Sequence, residues 1–236
     1  MGKGLSLCFN AAIAAAALAL AAGGSRAQIA VSTFDTNTDG WTVHDIAGSG
    51  LPLQTIGIYT PTWNAAGGSA GGGISMRDPS GYTFWFEAPG AFVGDVSDAY
   101  GGRLTYDLRS SSGAAVTSPG VWLVGAGMGL FHAPQLPDVP WSSYDAPLDP
   151  GSWRLGNYVS GRAPTGAEML AVLGSLDHLL INGDWVAGSE TTYLDNVALW
   201  EAPTVQAGAV PEPGTLGILG AGAISFAFLA RRRRNS

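Results

Sequence analysis

Through the middle of the chain, apolar and polar side chains alternate with a period of two. Arg103-Leu104-Thr105-Tyr106-Asp107-Leu108-Arg109 is the clearest case: Leu104, Tyr106 and Leu108 turn one way and the charged residues the other. Tyr82 to Glu87 repeats the pattern, with Tyr82, Phe84 and Phe86 on one face and Thr83, Trp85 and Glu87 on the other. Successive side chains of a strand point to opposite faces, so these segments predict strands with one face buried. Residues 29–34, 41–43, 179–182 and 193–200 read as further strands, and 121–124 with 129–132 as a hairpin around Gly125 and Gly127. One segment follows a helical period. Thr165-Gly166-Ala167-Glu168 has the form of a capping box, in which the threonine oxygen accepts from the Glu168 amide and the glutamate reaches back. Met169, Leu170, Val172 and Leu173 then predict an apolar helix face, closed by Gly174. Many short strands and one short helix predict an all-β, jelly-roll-like β-sandwich over residues 28–202.

The two ends break this pattern. After a short basic start, residues 11–22 are almost all alanine and leucine, and Ser25-Arg26-Ala27 puts small residues where a leader is cut. Residues 1–27 therefore predict a signal peptide. At the other end, Glu201 gives way to a small, Pro-containing linker at 203–209, then to Pro211-Glu212-Pro213. An apolar run follows, and Arg231 to Arg234 close it. Residues 214–230 predict a single membrane span, short but helped by arginines that keep their charges in water. Clustered arginines stay in the cytoplasm, which puts the body outside. The whole thus reads as a sandwich flanked by a signal peptide and one transmembrane helix.

Charge sharpens this picture. Between residues 27 and 230 there are five arginines, no lysine and all 18 acids, a net charge of −13. Such a body repels phosphate backbones, so nucleic-acid binding is excluded. The one cysteine, Cys8, lies in the predicted leader, which excludes disulfides, thiol catalysis and cysteine-held zinc from the mature chain.

Residues 210–236, with Pro-Glu-Pro, short apolar helix and arginine cluster in that order, resemble the PEP-CTERM sorting tail of exported bacterial proteins. The resemblance implies an exosortase, a membrane transpeptidase, as partner, with cutting near Pro211, Glu212 and Pro213. It also implies transient anchoring in the inner membrane of a Gram-negative host that makes exopolysaccharide. The body resembles a second family, the laminin IV type B module. The likeness runs from Tyr82–Pro89 through Phe92, Gly94, Asp95 and Tyr100–Arg109 to Trp153-Arg154, the capped helix, Leu176–Ile181 and Leu194–Leu199, across about residues 34 to 200. It implies a non-catalytic extracellular domain and carries no catalytic residues or ligand with it.

Candidate chemistry is sparse. Asp35-x-Asn37-x-Asp39-Gly40 opens like a calcium loop, but its twelfth position is Ile46, where a bidentate glutamate is needed, so an Asx-type turn is the better reading. A structural calcium held by Asp35 with Asp195 and Asn196 is the alternative this acid-rich body leaves open. Gly67-Gly68-Ser69-Ala70-Gly71 fits a nucleophile-elbow pattern without the strand and helix an elbow needs. His44, His132 and His178 lack zinc-ligand spacing. Asp138, Asp145 and Asp149 read as surface acids of a Pro-rich loop rather than a glycosidase pair. Among the tryptophans, Trp41, Trp85 and Trp122 fit the core, while Trp63 and Trp141, beside Pro, Asn and Ser, are candidate sugar platforms. The sequence thus predicts an exported, non-enzymatic surface or matrix protein. The alternative is a calcium-stabilised carbohydrate-binding module of the exopolysaccharide matrix.

Overall fold

The computed structural model describes residues 26–115, 118–133 and 136–204. The predicted leader up to residue 25, the linker beyond Thr204 and the sorting tail with its span lie outside the described residues. No helix among the described residues is long and apolar enough to cross a membrane.

In chain order the strands are β1 (Gln28–Ser32), β2 (Thr42–Ile46), β3 (Thr55–Tyr59), β4 (Thr62–Asn64), β5 (Gly73–Arg77), β6 (Thr83–Glu87), β7 (Arg103–Ser110), β8 (Val121–Gly125), β9 (Met128–His132), β10 (Ser142–Pro147) and β11 (Trp153–Leu155). The helix α1 (Gly166–Leu173), β12 (Leu176–Asn182) and β13 (Thr191–Trp200) complete the body. The strands form two antiparallel sheets. The first runs β10-β7-β13-β5-β4, with β1 also on β13; the second runs β11-β9-β8-β12-β6-β2-β3. The architecture is a β-sandwich.

The inner faces meet in one large core. Leu104, Tyr106 and Leu108 of β7 enter it as their alternation predicts, opposite Phe84, Phe86, Leu123, Leu179 and Ile181 of the second sheet. Trp41 is buried beside Phe34 and Phe92, with edge-on ring contacts to both, and its Nε1 donates to Ser32 Oγ at 2.9 Å. The second sheet buries part of its outer face as well. Trp85, Trp122, Phe131, Leu180 and Ile46 form a smaller cluster there, with Leu53 and Tyr158 packed against it from flanking loops. That explains why β8 is buried at every residue and shows no alternation.

Two local readings hold in detail. The helix starts at Thr165 with both capping-box bonds, Glu168 N to Thr165 Oγ1 and Thr165 N to Glu168 Oε2, and ends at Gly174. The β8–β9 hairpin turns on Ala126 and Gly127, both with positive φ, a two-residue turn whose twist suits a hairpin. Three residues depart from their periodicity. Leu170 is 45% exposed, because α1 is short and only Met169, Val172 and Leu173 reach the core. Tyr82 is 48% exposed, because β6 begins one residue later. Trp85, on the polar face of β6 by alternation, is buried by the loop-covered cluster.

Candidate functional site

The last strand carries an irregularity that organises one surface. Up to Leu194, β13 pairs with β5; from Val197 it pairs with β1. Between them lies a bulge, with Asn196 at φ 51°. An extra residue on one strand bends it and re-aims a side chain. Here it turns Asp195, which is fully buried, toward the Gly-rich loop between β4 and β5. Asp195 Oδ2 accepts from Ser69 N at 2.8 Å and Ala70 N at 3.4 Å, and Oδ1 accepts from Asn196 N at 2.7 Å. Burial pushes this carboxyl above the usual carboxylate range, while those amides pull the other way. The loop must be glycine: a Cβ on Gly72 would stand 2.0 Å from the Phe34 carbonyl oxygen. The Gly-x-Ser-x-Gly stretch is therefore a hairpin connection that caps Asp195, with no helix after it.

Asp35 is exposed and accepts from Thr33 Oγ1 at 2.8 Å, while Asn37 Oδ1 accepts from Asp39 N at 2.6 Å, closing an Asx turn. Asn196 Nδ2 donates to Asp107 Oδ2 at 2.8 Å. Among the described residues, no three of His, Cys, Asp and Glu are gathered so as to hold a metal ion.

The two candidate platform tryptophans occupy different faces. Trp63, 37% exposed on the edge strand β4, lies opposite Ile74, and its Nε1 donates to the Phe34 carbonyl at 2.6 Å. Trp141 belongs to the outer face of the first sheet. Its ring meets Tyr193 edge-on at 6.4 Å. The Arg109 guanidinium stacks 3.8 Å over Tyr193 and 5.4 Å from the Trp141 centroid. Across the strands, Arg109, Tyr193, Ser75 and Thr62 stand in one row. Beside it runs a trough of about 360 Å³ lined by Thr105, Asp107, Ser143, Asp145 and Asn196. Within it Ser143 Oγ donates to Asp107 at 2.6 Å, and Asp145 pairs with Arg103 at 2.7 Å. Stacked planar groups beside paired carboxylates and hydroxyls suit a ligand with apolar faces and many hydroxyls.

Sequence reasoning picked out Trp141 but missed its partners. Arg109 reads as an outward residue of one strand and Tyr193 as the start of another, and only cross-strand register brings them together. The strand β10 was hidden by its Pro-rich setting. Of the three acids there, Asp138 accepts from Val139 N, Asp145 pairs with Arg103, and Asp149 caps a 3-10 turn through Gly151 N.

On the opposite sheet, two histidines meet one carboxylate. His178 Nδ1 lies 2.6 Å from Glu87 Oε1 and His44 Nδ1 lies 3.1 Å from Oε2. The Glu87 hydrogen bond raises His178, whereas burial lowers His44. Both rings line a groove of about 790 Å³ under Leu51, Pro52 and Leu53. His132 is buried in β9 against Trp153 and takes no part.

Two antiparallel sheets packed face to face define an all-β sandwich module. The sequence model of Laminin B (Domain IV) matches residues 85–212, more than half of the chain, and the chain belongs to that family. The PEP-CTERM protein-sorting motif matches residues 209–234. Mouse laminin subunit alpha-1 is 26% identical over 125 residues, 49% of this chain but only 4% of that protein. The L4b domain of human laminin alpha-2 superposes with a TM-score of 0.60 at 16% identity, covering 73% of this chain and 97% of that domain. The family 11 carbohydrate-binding module of a Clostridium thermocellum cellulosomal cellulase gives 0.42 at 16% identity, over 75% and 97% of the two chains. The laminin likeness shows the fold; the last is too loose to argue from.

Proposed function

We propose that this chain is an exported, non-enzymatic protein of the bacterial cell surface or extracellular matrix. A signal peptide delivers it, residues 214–230 hold it briefly in the inner membrane, and an exosortase cuts it near Pro211-Glu212-Pro213. The observation that carries this reading is the sorting motif at 209–234 behind a laminin B module. Mass spectrometry of the released protein's C-terminus, with and without the sorting enzyme, tests it. Loss of Arg231–Arg234 that depends on the enzyme is the expected result, and an intact arginine tail on the released form refutes it.

A second reading has its own support. The Trp141–Arg109–Tyr193 assembly beside the Asp107–Ser143–Asn196 trough serves as a polysaccharide surface of the matrix. Carboxylates accept from sugar hydroxyls, while a tryptophan face covers the apolar side of a pyranose. Pull-down on the host's own exopolysaccharide checks this: retention by wild type and its loss in Trp141→Ala support it, and no retention removes it.

A further inference from the structure

Independently of that surface, the end of the sandwich where β2 stops holds the least expected burial in the molecule. Asp45 is fully buried and Glu190 is 2% exposed. Each satisfies one carboxylate oxygen. Asp45 Oδ2 accepts from Ser80 Oγ at 2.6 Å, and Glu190 Oε1 accepts from Trp185 N at 2.6 Å and Val186 N at 3.1 Å. Their second oxygens, Asp45 Oδ1 and Glu190 Oε2, are buried with no hydrogen-bond partner. Two further carboxylates face them: Asp184, half-buried beside the Thr83 hydroxyl, and Asp78, whose Oδ1 accepts from Ser80 N. Among the described residues, the cation acting on this group is Arg77, exposed at the end of β5, with its Nη2 3.5 Å from Ser189 Oγ. Two further polar neighbours are Asn182 of β12, whose Oδ1 accepts from Asp184 N and whose Nδ2 is buried with no hydrogen-bond partner, and Thr192, whose hydroxyl donates to the Gly183 carbonyl.

Four carboxylates from β2, the β5–β6 turn and the β12–β13 loop therefore act on one another at this end, without three of them gathered so as to hold a metal ion. A buried, unpaired carboxylate is strongly disfavoured in its charged form. A proton on one of the carboxyls relieves that cost. The carboxyls are also bolted to a defined element. Glu190 holds the loop 183–190 by two of its amides, and that loop closes over Trp185, which is fully buried with its Nε1 on the Asn182 carbonyl at 3.2 Å.

We propose that the 183–190 loop is a proton-held latch: a proton retained between Asp184 and Glu190 keeps it shut over Trp185, and losing that proton loosens it. The direction of titration agrees. Burial first, then Glu190, Asp78 and Asp45, push Asp184 up to about 7, and burial raises Glu190 and Asp78 as well. A carboxyl raised in the closed form stabilises it fully below its ordinary range, and that stability is lost as pH rises through about 7. Above that, the penalty stays level.

Hydrogen exchange of peptides covering 183–190 tests the latch on the full-length chain in EDTA, at pH 5 and pH 8, after correction for intrinsic exchange. After allowance for the partial exposure of Asp184, the expected rise in opening between these pH values is about tenfold. Asp184→Asn, which removes the charge but keeps a polar group, abolishes most of that rise, and Glu190→Gln, which keeps an amide acceptor, reduces it. Equal protection at both pH values overturns the proposal, as does an Asp184→Asn protein that opens like wild type. A loop that closes at pH 8 only when calcium is added also overturns it, assigning the carboxylates to a cation instead.

Discussion

Asp195→Asn probes whether backbone amides hold the buried carboxylate at the β13 bulge. In the native chain Oδ2 accepts from Ser69 N, from Ala70 N and, at 3.2 Å, from Asn196 Nδ2, while Oδ1 accepts from Asn196 N. Asparagine keeps one acceptor and turns the other into a donor. The cheaper orientation aims its NH₂ at the single Asn196 amide, so one charge-assisted hydrogen bond is lost and a donor faces a donor. A hydrogen bond to a charged group contributes about 1.5–3 kcal/mol net, and an unsatisfied buried donor costs a similar amount. Part of that is returned, because burial already disfavours the charged carboxylate. The expected net loss is about 2 kcal/mol, a fall in Tm of roughly 4–8 °C for a domain of this size. Asp195→Ala, which strips every acceptor, falls further. Thermal melts by circular dichroism, in EDTA and in calcium, measure this. A Tm within a degree of wild type refutes the reasoning. So does a wild-type melt that drops by the same amount in EDTA, since the carboxylate would then be held by a cation rather than by amides.

Gly72→Ala drives a Cβ to 2.0 Å from the Phe34 carbonyl, a backbone atom that cannot swing aside; urea melts should show a loss of about 3 kcal/mol. Thr165→Ala removes the oxygen that accepts from Glu168 N, and about 1 kcal/mol of stability should go with it. Arg109→Ala exposes the Tyr193 ring it covers. On the polysaccharide reading it weakens retention on the host polymer with little change in Tm, whereas a purely structural stack would lower Tm and leave retention unaltered. His178 is raised by its bond to Glu87, so that pair adds stability at acid pH and loses it as pH rises through the titration of His178. A His178→Ala variant should therefore differ most from wild type near pH 5, in chemical denaturation followed across pH.

What the chain reveals on its face and what it hides follow one physical line. β7 and α1 were legible because their signals are local. Leu104, Tyr106 and Leu108 alternate within one strand, and Thr165 caps a residue three positions on. β3 to β5 and β10 were not, because short strands rich in Gly, Pro, Ser and Thr owe their conformation to neighbours rather than to propensity. The site divides the same way. Trp141 stands out by its size, but Arg109 and Tyr193 join it only through the register of β7 with β13. The acid latch was invisible for a similar reason. Asp45 and Glu190 look like ordinary surface acids in sequence, and only the meeting of β2 with the β12–β13 loop takes both out of water.

The bulged strand that serves two neighbours on one side also sets an order of events. Because β13 lies between β7 and the pair β1 and β5, the first sheet has no continuous hydrogen-bonded path without it. It is also the last strand of the body to leave the ribosome. Until residue 200 is available, β1 waits with an open edge and the inner leucines of β7 have half a partner. The first sheet must then close late, so a defect within Thr191–Trp200 would leave it open between β7 and β5 rather than merely frayed at one end.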